Sequence, residues 1–469
     1  MDNYRLSEFV RRFDKGNYSA LFNGLTLQKI YSEKNYLDSM IQSAQNSESP
    51  LRRHGFCTTP EQDNQRYQIL KSGTGHIGIK NIVMLVDNRC NYRCDYCQIE
   101  ENMNESQMSH SMTLDTAEKA LDLFEANIKP DDKKTVSITG GEPLMNIPAV
   151  KYILERVMKI KGSRVIIFTN GSLVTKELAD FFARTKALML VSLDGPAEVH
   201  NKFRVFKNGT GTFESSLEGY KLLRDAGCKT GISAVTGVHN IEKIDEVIDY
   251  FVNLGISSLG LNFGHHLLEK DNHTAITMEQ YADFLIKVYL SFRERGIFVE
   301  NISRFIEPFT QQVPRYNECQ AQGRGFCIDS RGKIGVCKSL LVSDKISKAA
   351  DEVNRDISKE TEFIKWARRS PFTMEECNKC SAIGVCGGGC TYDAFAANAG
   401  NIEKIDKRLC DFSKKILEFL IWDLFEEIKH KMNSQEFVIP DISEQINRFQ
   451  RFYDPENQLQ RSVGHEKDA

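Results

Sequence analysis

The sequence predicts an α/β protein built on a partial, TIM-like (β/α)6 barrel, with a small α+β unit before it and a cysteine-rich domain after it. Three observations predict this. Between about Asn81 and Arg293, short apolar runs alternate with helical patterns six times, the form taken by repeated βα units on a parallel sheet. Ahead of them, two apolar stretches flank the turn dipeptide Asn23-Gly24. Behind them, eight cysteines crowd into the segment from Cys319 to Cys410.

In chain order, Tyr18 to Tyr31 reads as a β-hairpin with a type I′ turn at Asn23-Gly24. Lys34 to Ala44 reads as a helix and Gly55-Phe56 as a short strand, and residues 1–78 form the first domain. The barrel, residues 79–300, takes its strands from Ile82 to Val86, Thr135 to Thr139, Val165 to Thr169, Leu188 to Leu193, Thr230 to Val235 and Ser258 to Asn262. Amphipathic helices fall between them, such as Leu114 to Ile128 with Ala117, Ala120, Leu121 and Phe124 on one face. The last opens with the capping box Thr277-Met278-Glu279-Gln280. Six units leave the barrel open on one side, and chemistry is expected at the C-terminal ends of the strands, where the βα loops converge. Residues 301–432 form the cysteine-rich domain, ending in a helix from about Phe412 to His430, and the polar tail 433–469 is expected to be a surface arm.

At 469 residues the chain exceeds one ordinary core. A net charge of -3 and a pI near 6.4 give no footprint for a polyanion, so nucleic acid is not an expected partner. The N-terminus Met1-Asp2-Asn3-Tyr4-Arg5 has no apolar h-region, and no apolar stretch is long enough to span a bilayer. A cytoplasmic protein with no membrane partner is expected. Thirteen cysteines at short spacings then point to metal ligation in a reducing compartment rather than to disulfides.

The first constellation, Cys90-Asn91-Tyr92-Arg93-Cys94-Asp95-Tyr96-Cys97, follows the first barrel strand. Three thiolates can hold three irons of a 4Fe-4S cube and leave the fourth iron open; a zinc site is the alternative. The C-x3-C-x2-C spacing, with an aromatic before its last cysteine, resembles the signature of the radical S-adenosylmethionine enzymes. That resemblance implies a catalytic cluster on Cys90, Cys94 and Cys97 that cleaves S-adenosylmethionine to a 5′-deoxyadenosyl radical. It also implies that Gly140-Gly141-Glu142-Pro143, after the second strand, meets the methionine amino group, with Glu142 as its acceptor. Ser192 and Asp194, in Ser192-Leu193-Asp194-Gly195, become candidates for the ribose or the methionine carboxylate, and Arg204 for the carboxylate. Tyr96 and Asn170 complete the candidate cofactor contacts. Asn-Gly and Asp-Gly pairs are also ordinary turn formers.

Downstream, Cys319, Gly332, Cys337, Cys377-x2-Cys380-x5-Cys386-x3-Cys390 and Cys410 resemble the SPASM extension of that family. The resemblance implies two auxiliary 4Fe-4S clusters, three clusters in all. Cys319, Cys337 and Cys390 go to the first, and Cys377, Cys380, Cys386 and Cys410 to the second. Cys327 is a candidate fourth ligand of the first, since Gly323 and Gly325 allow the chain to turn back. A zinc ribbon accounts for the C-x2-C pair but leaves thiols over. Cys57 and Cys228 are expected to be packed thiols.

The hairpin-plus-helix start is similar to the winged-helix-like modules with which peptide-modifying members of the family recognise leader peptides by strand addition. A plain packing cap is the alternative. The expected function is a peptide maturase that takes hydrogen from a ribosomally made precursor peptide and closes a thioether or carbon-carbon cross-link. Its partners would be a precursor with a leader and a flavodoxin- or ferredoxin-type reductant. An anaerobic sulfatase maturase forming formylglycine is a second expectation, against which Lys338 counts, because that group typically carries an aspartate-like base after this cysteine. A non-catalytic iron-sulfur electron-transfer protein is a third, and it would need neither Glu142 nor an open iron.

Overall fold

Two apolar stretches separated by a turn signal do fold as a hairpin, but not through the expected turn. A computed structural model of the chain describes residues 3–44, 46, 49–263, 276–432 and 437–453, and its contacts divide into two compact units. The first comprises Met1–His76, Ile302–Cys319 and Arg368–Tyr453. In it β1 (Arg5–Leu6) pairs with β5 (Cys57–Thr58), and β2 (Val10–Lys15), β3 (Tyr18–Asn23) and β4 (Lys29–Glu33) form an antiparallel sheet in that order. Helices Lys34–Gln42, Pro50–Arg53 and Pro60–Ser72 complete the N-terminal part. Val10, Leu21, Ile30, Leu37, Leu51 and Phe56 are buried together between sheet and helices, each large side chain contributing roughly 1.5–3 kcal/mol.

Instead of a two-residue turn, residues 24–28 connect β3 to β4. Asn23 Oδ1 accepts from the amides of Leu25 (2.9 Å) and Thr26 (3.2 Å), and the positive φ falls on Leu27 at 58° rather than on Gly24. Leu25 and Leu27 are buried in the core, and a tight turn would have left no chain to carry them there. The short strand expected at Gly55-Phe56 lies two residues later, as β5. Strand β2 escaped prediction because Val10-Arg11-Arg12-Phe13-Asp14-Lys15 has too few apolar residues to show a period. The helix expected from about Phe412 to His430 spans Lys407–Ile428. The tail is more than a surface arm: Val438 and Tyr31 exchange both backbone hydrogen bonds at 3.0 Å along the edge of β4, and Ser443–Tyr453 is helical.

Among the described residues, the second unit comprises Ile77–Asn301 and Gln320–Ala367. Its strands are β6 (Asn81–Asp87), β7 (Tyr92–Cys94), β8 (Lys134–Gly140), β9 (Ser163–Thr169), β10 (Leu188–Ser192), β11 (Arg204–Phe206), β12 (Lys229–Thr236), β13 (Ser258–Phe263), β14 (Phe298–Val299), β15 (Gly325–Ile328), β16 (Lys333–Gly335) and β17 (Lys348–Ala349). Ten of them form one sheet in the order β14-β13-β12-β10-β9-β8-β6-β15-β16-β17, parallel from β14 to β15 and antiparallel beyond. The six predicted strands are β6, β8, β9, β10, β12 and β13, each followed by its helix, so the α/β partial-barrel expectation holds. Helix Leu114–Asn127 buries Ala117, Ala120, Leu121 and Phe124 as its period required, and Thr277 caps Met278–Arg293 with a full capping box. Strands β15 to β17 extend the barrel sheet past β6, and residues 320–367 group with the barrel. No helix among the described residues is long and apolar enough to cross a membrane.

Candidate active site

Strand β6 ends on Asp87, a fully buried carboxylate. Arg89 grips it through Nε (2.9 Å), Nη2 (2.6 Å) and its own amide (2.9 Å), and Ser111 adds a fourth bond (2.8 Å), which turns the chain into the cysteine loop. Within the loop, β7 pairs antiparallel with β11, so that Cys94 lies opposite Arg204. Cys90, Cys94 and Cys97 are all half-buried. Burial raises each thiol above its ordinary value, that of Cys94 to about 12, and within the loop each neighbouring thiolate raises Cys90 further. Three thiols that resist ionisation together are stabilised as thiolates by a bound cationic centre. The site therefore fits the cluster that the spacing implies.

Gly140-Gly141 ends β8 against the start of that loop. The Gly141 amide donates to Asp87 O (2.7 Å) and the Glu142 amide to Arg89 O (2.8 Å). A Cβ on Gly140, whose φ is 149°, would lie 2.1 Å from Asp87 O, and one on Gly141 would lie 2.4 Å from Arg89 O. Only glycine allows this approach. The Glu142 side chain is fully buried and accepts from Leu144 N (3.0 Å), Thr169 Oγ1 (2.7 Å) and Asn170 N (2.7 Å). Burial lifts its carboxyl to about 7 despite those bonds. Glu142 thus joins the end of β8 to the end of β9. Asn170 reaches the cysteine loop, donating to Asn91 Oδ1 (2.9 Å) and lying 3.9 Å from Cys90 Sγ.

Asp194 and Arg204, assigned separately from the sequence, are joined in the structure. Arg204 grips the buried Asp194 carboxylate with Nε (2.9 Å) and Nη2 (3.1 Å), and Tyr96 OH and Val235 N (2.9 Å) donate to the same group. Burial alone would raise this carboxyl, but Arg204 and His239 hold it well below the usual range. The Arg204 guanidinium lies 5.3 Å over the Tyr96 ring. Ser192 is half-buried at the end of β10. Two histidines that sequence reasoning passed over complete the network. His200 Nδ1 accepts from the Asp194 amide (3.4 Å) while Nε2 meets Thr212 Oγ1 (3.0 Å), and His239 Nε2 lies 3.5 Å from Asp194. His239 Nδ1 is buried without a hydrogen-bond partner among the described residues. The only available signal was that His200 falls between two motif residues, Asp194 and Arg204.

In the first unit, burial raises Cys377, Cys386 and Cys410, the last to about 12, and Cys380 lies near enough to act on all three. The four residues assigned to one auxiliary cluster therefore share one neighbourhood. Gly387, Gly388 and Gly389 all take positive φ, folding the chain back between Cys386 and Cys390. Cys319 is exposed and Cys390 half-buried. In the second unit, Cys337 opens the helix Lys338–Val342 with its thiol toward the amides of Ser339 and Leu340. Cys327 sits within β15, 3% exposed, packed with Val83, Leu85, Met103, Leu341 and Val342, which are the surroundings of a core thiol. Cys57 is a core thiol too, and Cys228 is half-buried with its thiol donating to Ala179 O (3.3 Å). Among the described residues no three His, Cys, Asp or Glu side chains converge on a single ion-sized point. A cube, unlike a lone ion, puts each thiolate on a different iron.

Residues 84–261 match the family model described as the Radical SAM superfamily. The chain is similar to the radical SAM cyclopropyl synthase TigE of Paramaledivibacter caminithermalis, 24% identical over 430 residues that cover 84% of this chain and 86% of that protein. It is also similar to a cysteine-type anaerobic sulfatase-maturating enzyme of Clostridium novyi, 23% identical over 337 residues, 66% of this chain and 88% of the other. Its fold resembles that of Streptococcus suis SuiB, crystallised with the precursor peptide SuiA, with a TM-score of 0.55 at 16% identity over 87% of this chain and 100% of that one.

Proposed function

The chain carries a radical S-adenosylmethionine domain at residues 84–261, and on that premise we propose that it is a peptide maturase acting on a ribosomally made precursor. The observation that carries this reading is the N-terminal sheet β2-β3-β4 followed by three helices, a module that cofactor cleavage does not need. Such an order suits recognition of an extended leader by strand addition. The precursor peptide bound to SuiB supports a partner of the same kind.

Cys90, Cys94 and Cys97 would hold the catalytic cluster, and two auxiliary clusters would be held by Cys319, Cys337 and Cys390 and by Cys377, Cys380, Cys386 and Cys410. When bound, these groups and S-adenosylmethionine supply a hydrogen-abstracting radical and acceptors for the electron that an oxidative ring closure sheds. The protein's part is positional. Gly140-Gly141 keeps the backbone free of side chains where the methionine end would lie. Glu142 ties two strand ends together beneath it and presents a carboxylate that an ammonium group would hold ionised. The Asp194–Arg204 pair braces β7 and Tyr96, and Arg204 keeps further N–H donors for a carboxylate.

A sulfatase-maturase reading has the Clostridium novyi relative in its favour. Against it, the residue after Cys337 is the exposed Lys338, with no carboxylate in that position to act as base. One experiment separates the readings. Anaerobically reconstituted protein with S-adenosylmethionine and dithionite should release 5′-deoxyadenosine, and a leader-bearing precursor should lose mass in whole hydrogens as a cross-link closes. Formylglycine on a sulfatase-derived cysteine peptide would replace the proposal with the second reading, and no cofactor cleavage at all would leave an electron-transfer protein.

A further inference from the structure

Arg369 lies outside the radical site, directly after the helix Thr361–Arg368, and is 4% exposed. Its guanidinium donates from Nε to Ile402 O (2.6 Å), from Nη1 to Gly389 O (2.8 Å) and from Nη2 to Lys404 O (3.4 Å). Gly389 belongs to the turn between Cys386 and Cys390, while Ile402 and Lys404 lie on the segment that leads to Cys410. One buried cation therefore fastens both cysteine-bearing segments. The carbonyls that hold it carry dipoles but no net charge. Gly389 directly precedes Cys390 of one proposed cluster and lies three residues after Cys386 of the other, so the guanidinium is held against the turn that joins a ligand of each set. Burial penalises the guanidinium, a cost that thiolates held by bound clusters would reduce.

We propose that Arg369 is a positioning residue for electron transfer, a counter-charge shared by the two auxiliary clusters that sets the reduction potentials of both. The inference rests on the reading that these thiols carry clusters. A cluster held by thiolates becomes more negative on reduction, so a fixed cation in a low-dielectric surround favours the reduced form. Its fork geometry also explains arginine over lysine, since three directed bonds hold the charge in place.

The test uses full-length protein with Cys90, Cys94 and Cys97 replaced by alanine, so that only auxiliary clusters report. Iron is quantified, and redox titration is followed by paramagnetic resonance, with Arg369 intact, with Arg369→Gln and with Arg369→Lys. Arg369→Gln should make reduction of both clusters at least tenfold less favourable, a shift of 59 mV to more negative potential for one electron, and Arg369→Lys should recover most of it. Full iron with unshifted potentials in Arg369→Gln would overturn the proposal. If Arg369→Gln takes up no iron, loading of Arg369→Lys supports the charge role, and equal failure of both variants overturns it. A parent protein without iron would instead overturn the cluster assignment, and this proposal with it.

Discussion

Removing the Asp194 carboxylate would strand the buried guanidinium of Arg204 and leave the Tyr96 hydroxyl without its acceptor. Breaking a buried ion pair from one side typically costs 3–5 kcal/mol, so Asp194→Ala should lower unfolding stability by about that amount in denaturant titration. A loss below about 1 kcal/mol would mean that water enters and the pair is not truly desolvated. His200 makes a prediction about pH. Burial, helped by Arg204 and His239 and opposed by Asp194, holds it neutral with a pKa of about 3, below its ordinary 6.5. The unfolded chain then binds the extra proton between those values, so this contribution is fully present above pH 6.5 and is lost as pH falls toward 3. It amounts to a few kcal/mol. Acid unfolding of His200→Gln should be correspondingly flatter over that window, and an unchanged profile would assign the acid sensitivity elsewhere. Both residues bear on what a linear reading can reach. Asp194 and Arg204 stood out as turn and basic residues near strand ends, but nothing in the string says that they spend their charges on each other.

The contact between β8's end and the cysteine loop is backbone against backbone. Gly140→Ala would put a methyl 2.1 Å from Asp87 O, so the loop must move. Displacement of about 1 Å at a reacting centre typically costs on the order of 100-fold in rate. The variant should keep its secondary structure by circular dichroism while its rate of S-adenosylmethionine cleavage falls by about that factor. Wild-type cleavage would show that the loop tolerates displacement. Barrel strands were legible because buried parallel strands are near-continuous apolar runs with helices between them. Strand β2 and the pairing of Tyr31 with Val438 were not, since their stability comes from a neighbouring strand rather than from their own pattern.

Taken together, the thiols predict that anaerobically reconstituted protein binds about twelve irons, falling to about eight when Cys90, Cys94 and Cys97 are replaced. Stoichiometric zinc with little iron would overturn the cluster reading. Cys327→Ala should keep the full iron content and lose only about 1 kcal/mol of stability, whereas loss of about four irons would restore Cys327 as a ligand. Cysteine spacing, glycine pairs and apolar rhythm were enough to reach the partial barrel, the candidate cluster thiols and the glycine loop, because each is carried by a few residues adjacent in the chain. Folding was needed to learn that Cys327 packs into an apolar core, that Glu142 bridges two strand ends, and that Arg369 ties the turn after Cys386 to the segment before Cys410. Those facts depend on which residues meet across hundreds of positions and on how much water their meeting excludes, and burial and charge pairing of that kind leave no local trace in a sequence.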